Sequence, residues 1–293
     1  MLMLPGGGVL KTPYTSWKGK LITVYPIHFI TLFAALIFFP VSLFKYGKSA
    51  IINVLLNILL LQDFSKEPTT GNWVSWYLCV YLLCAIFTPI IIKAINESVM
   101  KANIILFVSL GTRYILESWQ SAGYWEINFH YSPFIRLLEF IVSICYGYIL
   151  LKVESAVQKK ISSRIWFFVE IFVIFIYLLS YRYDMLRFWH ITLSLIMVGV
   201  FFIEPANGGM NRICNNALIK SISNIQLEFY MIHQLVIRIL RIFFLNIPKV
   251  HFGIICLFIT IILAYLYKTF LKKPSERLME EVFAKIETMW NAM

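Results

Sequence analysis

Arg136 and Glu139 stand three residues apart inside Ser132 to Leu151, a run that is otherwise almost wholly apolar. At that spacing two side chains share one face of a helix and can pair. A charge at the centre of a membrane helix costs about 2.5 to 3.5 kcal/mol on insertion scales, so a charge retained there calls for a partner or a watered cavity. The pair reads as the polar wall of an outward-opening substrate cavity, or as an ion pair that only neutralises itself between helices. A second stretch, from Leu227 through Glu228, Tyr230 and His233 to Gln234, puts a carboxylate, a phenol and an imidazole within about two helical turns. Tyr230 and His233 share a face, and a neutral imidazole is the usual general base near neutral pH. The bland alternative for His233 is an interhelical hydrogen bond.

Weaker candidates surround these three. Arg113, Glu117 and Glu170 also fall in apolar runs, but Arg113 and Glu117 are close enough to a helix end to snorkel or to pair locally. His190 and His130 fall near the outer ends of their segments, and His28 and His251 carry less signal still. The five cysteines have no CxxC pairing and four lie in apolar segments, so they read as small packed hydrophobes. The run Gly6 to Thr12 has Leu10 where a phosphate loop needs glycine before its lysine. With no GxSxG elbow, no HExxH and no paired-His spacing, neither a serine hydrolase nor a metal site is expected.

The elements that must position these residues are membrane helices. Of 293 residues, 60% are hydrophobic and 14% charged, and the mean hydropathy is +0.76, which excludes an ordinary water-soluble domain. About 20 mainly apolar residues cross a bilayer. Leu21 to Pro40, Trp73 to Ile92, Phe188 to Ile203 and Val250 to Tyr267 meet that test almost without charges. Ala102 to Leu116, Ser132 to Leu151, Ile165 to Tyr181 and Ile219 to Leu245 meet it with a few, giving eight expected spans. Ala50 to Gln62 is too short to cross and suits an interfacial or re-entrant helix. The fold expected is therefore all-α, a polytopic helix bundle forming one membrane-embedded domain over residues 1–293, with a basic tail from about residue 272.

The formal charge of +11 is explained by topology rather than by a nucleic-acid partner. On the eight-span reading, sixteen Lys and Arg fall on one side, among them Lys20, Lys152, Lys159 and Lys272, and six on the other, among them Lys45, Arg182 and Lys249. Cations near helix ends gather on the cytoplasmic side, which places both termini in the cytoplasm of a multi-pass protein of the cell membrane. The connection Glu117 to Tyr131 has no Lys or Arg and carries Trp119, Tyr124 and Trp125, as an outer interface does.

Several stretches together resemble the membrane acyltransferase 3 family, multi-spanning proteins that O-acylate carbohydrates and other cell-envelope acceptors. Ile222-Ser223 followed by Phe229-Tyr230-Met231-Ile232-His233-Gln234 resembles that family's serine-aromatic and Tyr-Leu-Ile-His-Gln signature. Trp76-Tyr77-Leu78 with Tyr81-Leu82-Leu83 and Pro89 is similar to its Trp-x-Leu, Tyr-Leu-Leu and Pro span. Ser132-Pro133, Arg136 and Glu139-Phe140 resemble its Ser-Pro-x-x-Arg and Glu-Phe helix, with Ser143 where glycine is usual, and Lys273-Pro274 matches its basic-proline close. On this alignment Met1 to Tyr14 resembles the tail of the family's second span, so the first span, with a basic residue and a His thought to act in acyl transfer, has no counterpart.

The resemblance implies an integral membrane O-acyltransferase that takes an acyl group, acetyl above all, from acyl-CoA on the cytoplasmic side. Its acceptor would be a hydroxyl of an envelope carbohydrate. Arg136, Glu139 and His233 are then the candidates for lining the outward cavity. Lys20 is the basic position left of the family's cytoplasmic Arg-x-x-Arg, ahead of Pro26, and so the candidate contact for the donor. The partners implied are the lipid bilayer, the acyl donor and the carbohydrate, with no bound cofactor. A transporter or flippase would use the same intramembrane charges near the midplane but often shows repeated halves, and none is visible here. A non-catalytic remnant, lacking the first span, is the third reading.

Overall fold

A computed structural model describes residues 17–40, 49–64, 71–124, 132–157, 163–183, 189–203, 209, 214–244 and 247–291. The stretch Met1 to Tyr14, and Trp125, His130 and Tyr131, lie outside the described residues.

The apolar runs form helices because a chain in lipid must satisfy every backbone N–H and C=O from within itself. In chain order these are α1 (Trp17–Phe38), α2 (Ser49–Ile58), α3 (Trp76–Ile95), α4 (Val99–Ser121), α5 (Pro133–Val157), α6 (Ser163–Leu179), α7 (His190–Ile203), α8 (Ala217–Ser223), α9 (Gln226–Phe243), α10 (Lys249–Leu266) and α11 (Lys272–Asn291). Short 3-10 turns at Gln62–Phe64 and Trp73–Ser75 flank the chain's return into α3. No strand occurs among the described residues. The all-α membrane bundle expected from composition is thus the fold observed.

By length and composition, helices over Gly19–Phe38, Trp73–Ile95, Val99–Ser121, Pro133–Val153 and Lys249–Met289 can each cross a bilayer, with shorter apolar helices at Ile165–Leu179 and His190–Ile203. Pro26 and Pro89 sit inside α1 and α3, as membrane helices tolerate where neighbours re-satisfy the freed carbonyl. The short run expected at Ala50 to Gln62 is a helix of 10 residues. Among the described residues five helices reach crossing length where the sequence reading expects eight spans, and the remaining apolar helices are shorter. Ile219 to Leu245 is two helices, broken at Asn224 and Ile225. Ser221, Ser223 and Asn224 cluster there, and such side chains compete with the backbone for its own hydrogen bonds, so they favour helix ends over helix interiors.

The chain divides into two compact units, one drawn from residues 87–129 and 134–220, the other from residues 15–86, 130–133 and 221–293. The core of the first unit joins Ile91, Ile95, Ala102, Leu106, Val142, Ile144, Cys145, Ile191 and Leu195 from α3, α4, α5 and α7. Its sharp corner between α3 and α4 uses Asn96 and Glu97 at φ 44° and 57°, left-handed values that non-glycine residues hold only when fixed by their surroundings. The Tyr148 hydroxyl supplies one such restraint by donating to the Glu97 carbonyl. Ser98 caps α4, its side chain accepting from the Lys101 N–H.

The second unit centres on Val24, Ile27, Leu78, Met231, Ile232, Val236, Cys256 and Ala264, from α1, α3, α9 and α10, with Tyr267 just past the end of α10. Gly71 turns the chain at φ +81°, and a Cβ there would meet Leu32 Cδ1 at 2.8 Å, so glycine is required twice over. Helices α10 and α11 form one continuous rod, wound as π-helix between them over Tyr267–Leu271. Cys79, Cys84, Cys145 and Cys256 are buried thiols outside any disulfide, and Cys214 is an exposed one.

Candidate functional site: a paired-charge cluster and two histidine stations

Helix α5 carries Arg136 and Glu139 on one face, as their spacing requires, and Arg136 Nη1 donates to Glu139 Oε2 at 2.6 Å. The carboxylate has a second guanidinium partner, because Arg113 of α4 reaches Glu139 Oε1 from Nε at 3.5 Å. Arg113 also pairs with Glu117 one turn along its own helix. Arg113 is buried and the other three are largely so. Two arginines and two carboxylates balance in charge, which is how four ions stay among apolar helices at tolerable cost. The local pairing expected for Arg113 and Glu117 is present, and the tie to Glu139 is added to it.

The same unit holds a histidine whose sequence signal was slight. His190 opens α7, with Nδ1 at 2.8 Å from Ser180 Oγ and Nε2 at 3.2 Å from the Tyr177 hydroxyl. Tyr114 of α4 bonds Thr192 of α7 at 2.7 Å and its ring meets that of Trp189 at 5.5 Å. Side-chain contacts therefore join the C-terminal part of α4 both to the start of α5 and to the start of α7.

The second unit contains His233 on α9. Its Nδ1 lies 2.7 Å from the Tyr230 carbonyl oxygen. A carbonyl only accepts, so Nδ1 carries the proton and a neutral ring keeps its lone pair on Nε2. The ring is sandwiched by the side chains of its own helix: Phe229 stacks in parallel at 6.0 Å and Tyr230 lies at 5.5 Å, while Tyr230 meets Tyr77 edge-on at 4.9 Å. The ring is thus half-buried, with its tautomer fixed by the carbonyl. Arg136 and Glu139 belong to the first unit and His233 to the second, so the structure brings the first two together and describes the third by itself.

Around His233 the second unit holds more polar residues than the sequence singled out. Arg238, one turn further along α9, donates to the Gly71 carbonyl at 2.8 Å and lies over the rings of Phe39 and Trp73 at 3.9 and 4.8 Å. Asn72 donates to the Met231 carbonyl at 3.0 Å, tying the Gly71 turn to α9. His28, fully buried in α1, bonds the Asn57 carbonyl at 2.7 Å through Nε2, leaving its Nδ1 and the Asn72 Oδ1 as buried acceptors without a donor among the described residues. Arg238 carried the same signal as Arg136, a cation inside an apolar run. His28 carried only its residue type.

Lys20, the candidate donor contact, stands over the Tyr81 ring at 5.6 Å, a cation–π geometry that holds an ammonium against an apolar wall. Glu228, 2% exposed, is paired by Lys272 Nζ at 2.8 Å. Among the described residues no group of three or more His, Cys, Asp or Glu could hold a metal ion.

As chemical types, an arginine can stabilise a developing oxyanion and a neutral imidazole can accept a proton from an attacking hydroxyl. Neither the curated proteins nor the solved structures contain a match to this chain. The family model described as an acyltransferase domain matches residues 9–269, so most of the helical chain is covered by that one match, including both arginine-bearing helices and His233. Apolar helices carrying these paired charges, together with that match, make the chain a member of the acyltransferase 3 family.

Proposed function

We propose that this membrane acyltransferase transfers an acyl group, most simply acetyl, from acyl-CoA to a hydroxyl of an envelope carbohydrate, which makes it an O-acyltransferase. The observation that carries this reading is the Arg113–Glu139–Arg136 cluster held among apolar helices in a chain of acyltransferase family. An ester-forming step needs a proton acceptor for the attacking oxygen and positive charge for the tetrahedral oxyanion. Arg136 and Glu139 supply the charged wall in one unit, and His233, with Nε2 as acceptor, is the candidate hydroxyl contact of the other.

Sidedness follows the cation bias of the sequence: both termini in the cytoplasm of the cell membrane, Lys20 on the donor side, Arg136 and Glu139 toward the acceptor side. A carbohydrate suits the acceptor role because its many hydroxyls match a site rich in donors and acceptors.

The test is transfer of radiolabelled acetyl from acetyl-CoA to envelope polysaccharide in membranes carrying the protein, run beside solute uptake in sealed vesicles. Label in alkali-labile ester on the carbohydrate is the expected result. Uptake without ester formation would replace the reading with a transporter.

A further inference from the structure

The hydrogen bonds around His190 have a direction that their geometry fixes. Ser180 is wholly buried, and its Oγ lies 2.6 Å from the Tyr177 carbonyl oxygen. Because a carbonyl only accepts, the single hydroxyl proton of Ser180 goes there. Ser180 Oγ must then accept from His190 Nδ1–H, at 2.8 Å. A neutral imidazole with its proton on Nδ1 has a lone pair on Nε2, and the Tyr177 hydroxyl donates to it at 3.2 Å. With its own proton so committed, the Tyr177 oxygen accepts from Tyr181, 3.0 Å away. The chain of donors therefore runs one way, from Tyr181 through Tyr177 to His190, and Ser180 pins the far side of the ring.

The two ends of this chain differ. Tyr181 is 60% exposed, just past the end of α6, so its phenol is open to a ligand. His190 lies inward at the start of α7, half-buried among the side chains of its neighbours. The ring also packs against Tyr177, tilted by 31°, and against Tyr181, edge-on, with centroids 4.8 Å apart in each case, which restricts its rotation. A purely structural clasp between α6 and α7 would need Ser180 and His190. It would not need a second phenol in series, ending in the open.

We propose that Tyr181, Tyr177 and His190 form a proton relay that receives the proton of the acceptor hydroxyl during acyl transfer, a role that rests on the O-acyltransferase reading above. In the step, the acceptor oxygen forms its bond to the acyl carbon and gives its proton to the Tyr181 oxygen. The Tyr181 proton passes to Tyr177, and that of Tyr177 to His190 Nε2. The bond from the acyl carbon to the donor breaks, and the leaving group departs with the electron pair. His190, now an imidazolium between Ser180 and Tyr177, returns its proton to water along the same path. Tyr181 touches the acceptor, and Tyr177 and His190 act through it.

The experiment measures acetyl transfer against pH in membranes carrying wild type, Tyr181→Phe and His190→Gln, at matched protein levels. Tyr181→Phe removes one oxygen from an exposed ring and costs no packing. The expected result is a fall in turnover of about 10²-fold with the KM for donor unchanged. Wild type should lose rate as pH falls through the His190 protonation range, and His190→Gln should lose that limb of the profile. The groups bearing on this limb are Tyr177 and Tyr181 from α6 and the turn after it, Glu139 from α5 and Arg113 from α4. In parallel, ¹⁵N spectra of histidine-labelled protein in bicelles should give an Nδ1–H tautomer for His190. Unchanged turnover in Tyr181→Phe overturns the relay while leaving the acyltransferase intact. An Nε2–H tautomer overturns it whatever the activity. A wild type that acylates no acceptor overturns the proposed function itself, and the relay with it.

Discussion

Arg113 Nε reaches Glu139 Oε1 at 3.5 Å across a sequence separation of 26 residues, and so ties the later turns of α4 to the first turns of α5. Glu139 thereby serves two guanidiniums, one on each oxygen. Removing its charge leaves two arginines to share Glu117 among apolar helices. Glu139→Gln is expected to destabilise the protein by about 3 kcal/mol, because a partner removed from a buried ion network leaves uncompensated charge behind. Thermal unfolding in detergent checks this. Arg136→Lys keeps the charge and loses the planar fork, so transfer activity should fall while the melting temperature holds.

His233 makes a sharper prediction because its two nitrogens have separate jobs. Nδ1–H is spent on the Tyr230 carbonyl, and Nε2 is the acceptor. Asparagine can replace the first function and glutamine can place an amide oxygen near the second. His233→Asn is expected to fold normally and lower acyl transfer by about tenfold, in line with loss of one hydrogen-bond acceptor. Equal activity in His233→Asn and wild type would reduce His233 to a packing residue.

Asp63 predicts a dependence of stability on pH. It follows α2 in the 3-10 turn Gln62–Phe64, is buried beside the Cys79 thiol, and burial pushes its carboxyl up to about 8. Between its ordinary value of 3.8 and that raised value the folded chain holds the proton more tightly than the unfolded one. Its contribution is therefore complete at acid pH and lost as pH rises toward 8. Melting temperature should decline from pH 5 to about pH 9, and Asp63→Asn should flatten that decline. A slope that survives in Asp63→Asn would assign it to other groups.

Glu228 and Lys272 give a paired test. Lys272→Ala leaves a carboxylate that is 2% exposed without its ammonium, and a loss of about 3 kcal/mol is expected. Glu228→Gln in the same chain should recover most of it, since the buried charge is then gone. A double variant no more stable than Lys272→Ala, by detergent unfolding, would refute the pairing.

The helices were legible because lipid-facing chain must be both apolar and helical, and apolar runs such as Trp73 to Ile92 satisfy both conditions at once. The Arg136–Glu139 pair was legible for a related reason: a three-residue step is a neighbour relation within one helix. The Arg113–Glu139 tie was not, because it depends on which helices lie side by side. The break at Asn224 and Ile225 was hidden because hydropathy averages over a window, while local competition by Ser223 and Asn224 acts on single hydrogen bonds. His190 drew little weight as a lone imidazole. Ser180 and Tyr177, which fix its tautomer, stand on another helix, and nothing in their spacing announces them.

The π-wound stretch Tyr267–Leu271 sets the angular phase of everything that follows it. A π turn holds one more residue than an α turn, so rewinding these same five residues as plain α-helix would swing α11 about its axis by about 100°. Lys272 would then point away from the Glu228 carboxylate. The wide turn thus absorbs one residue without loss of register, and the charge presented to that buried acid depends on the turn staying wide.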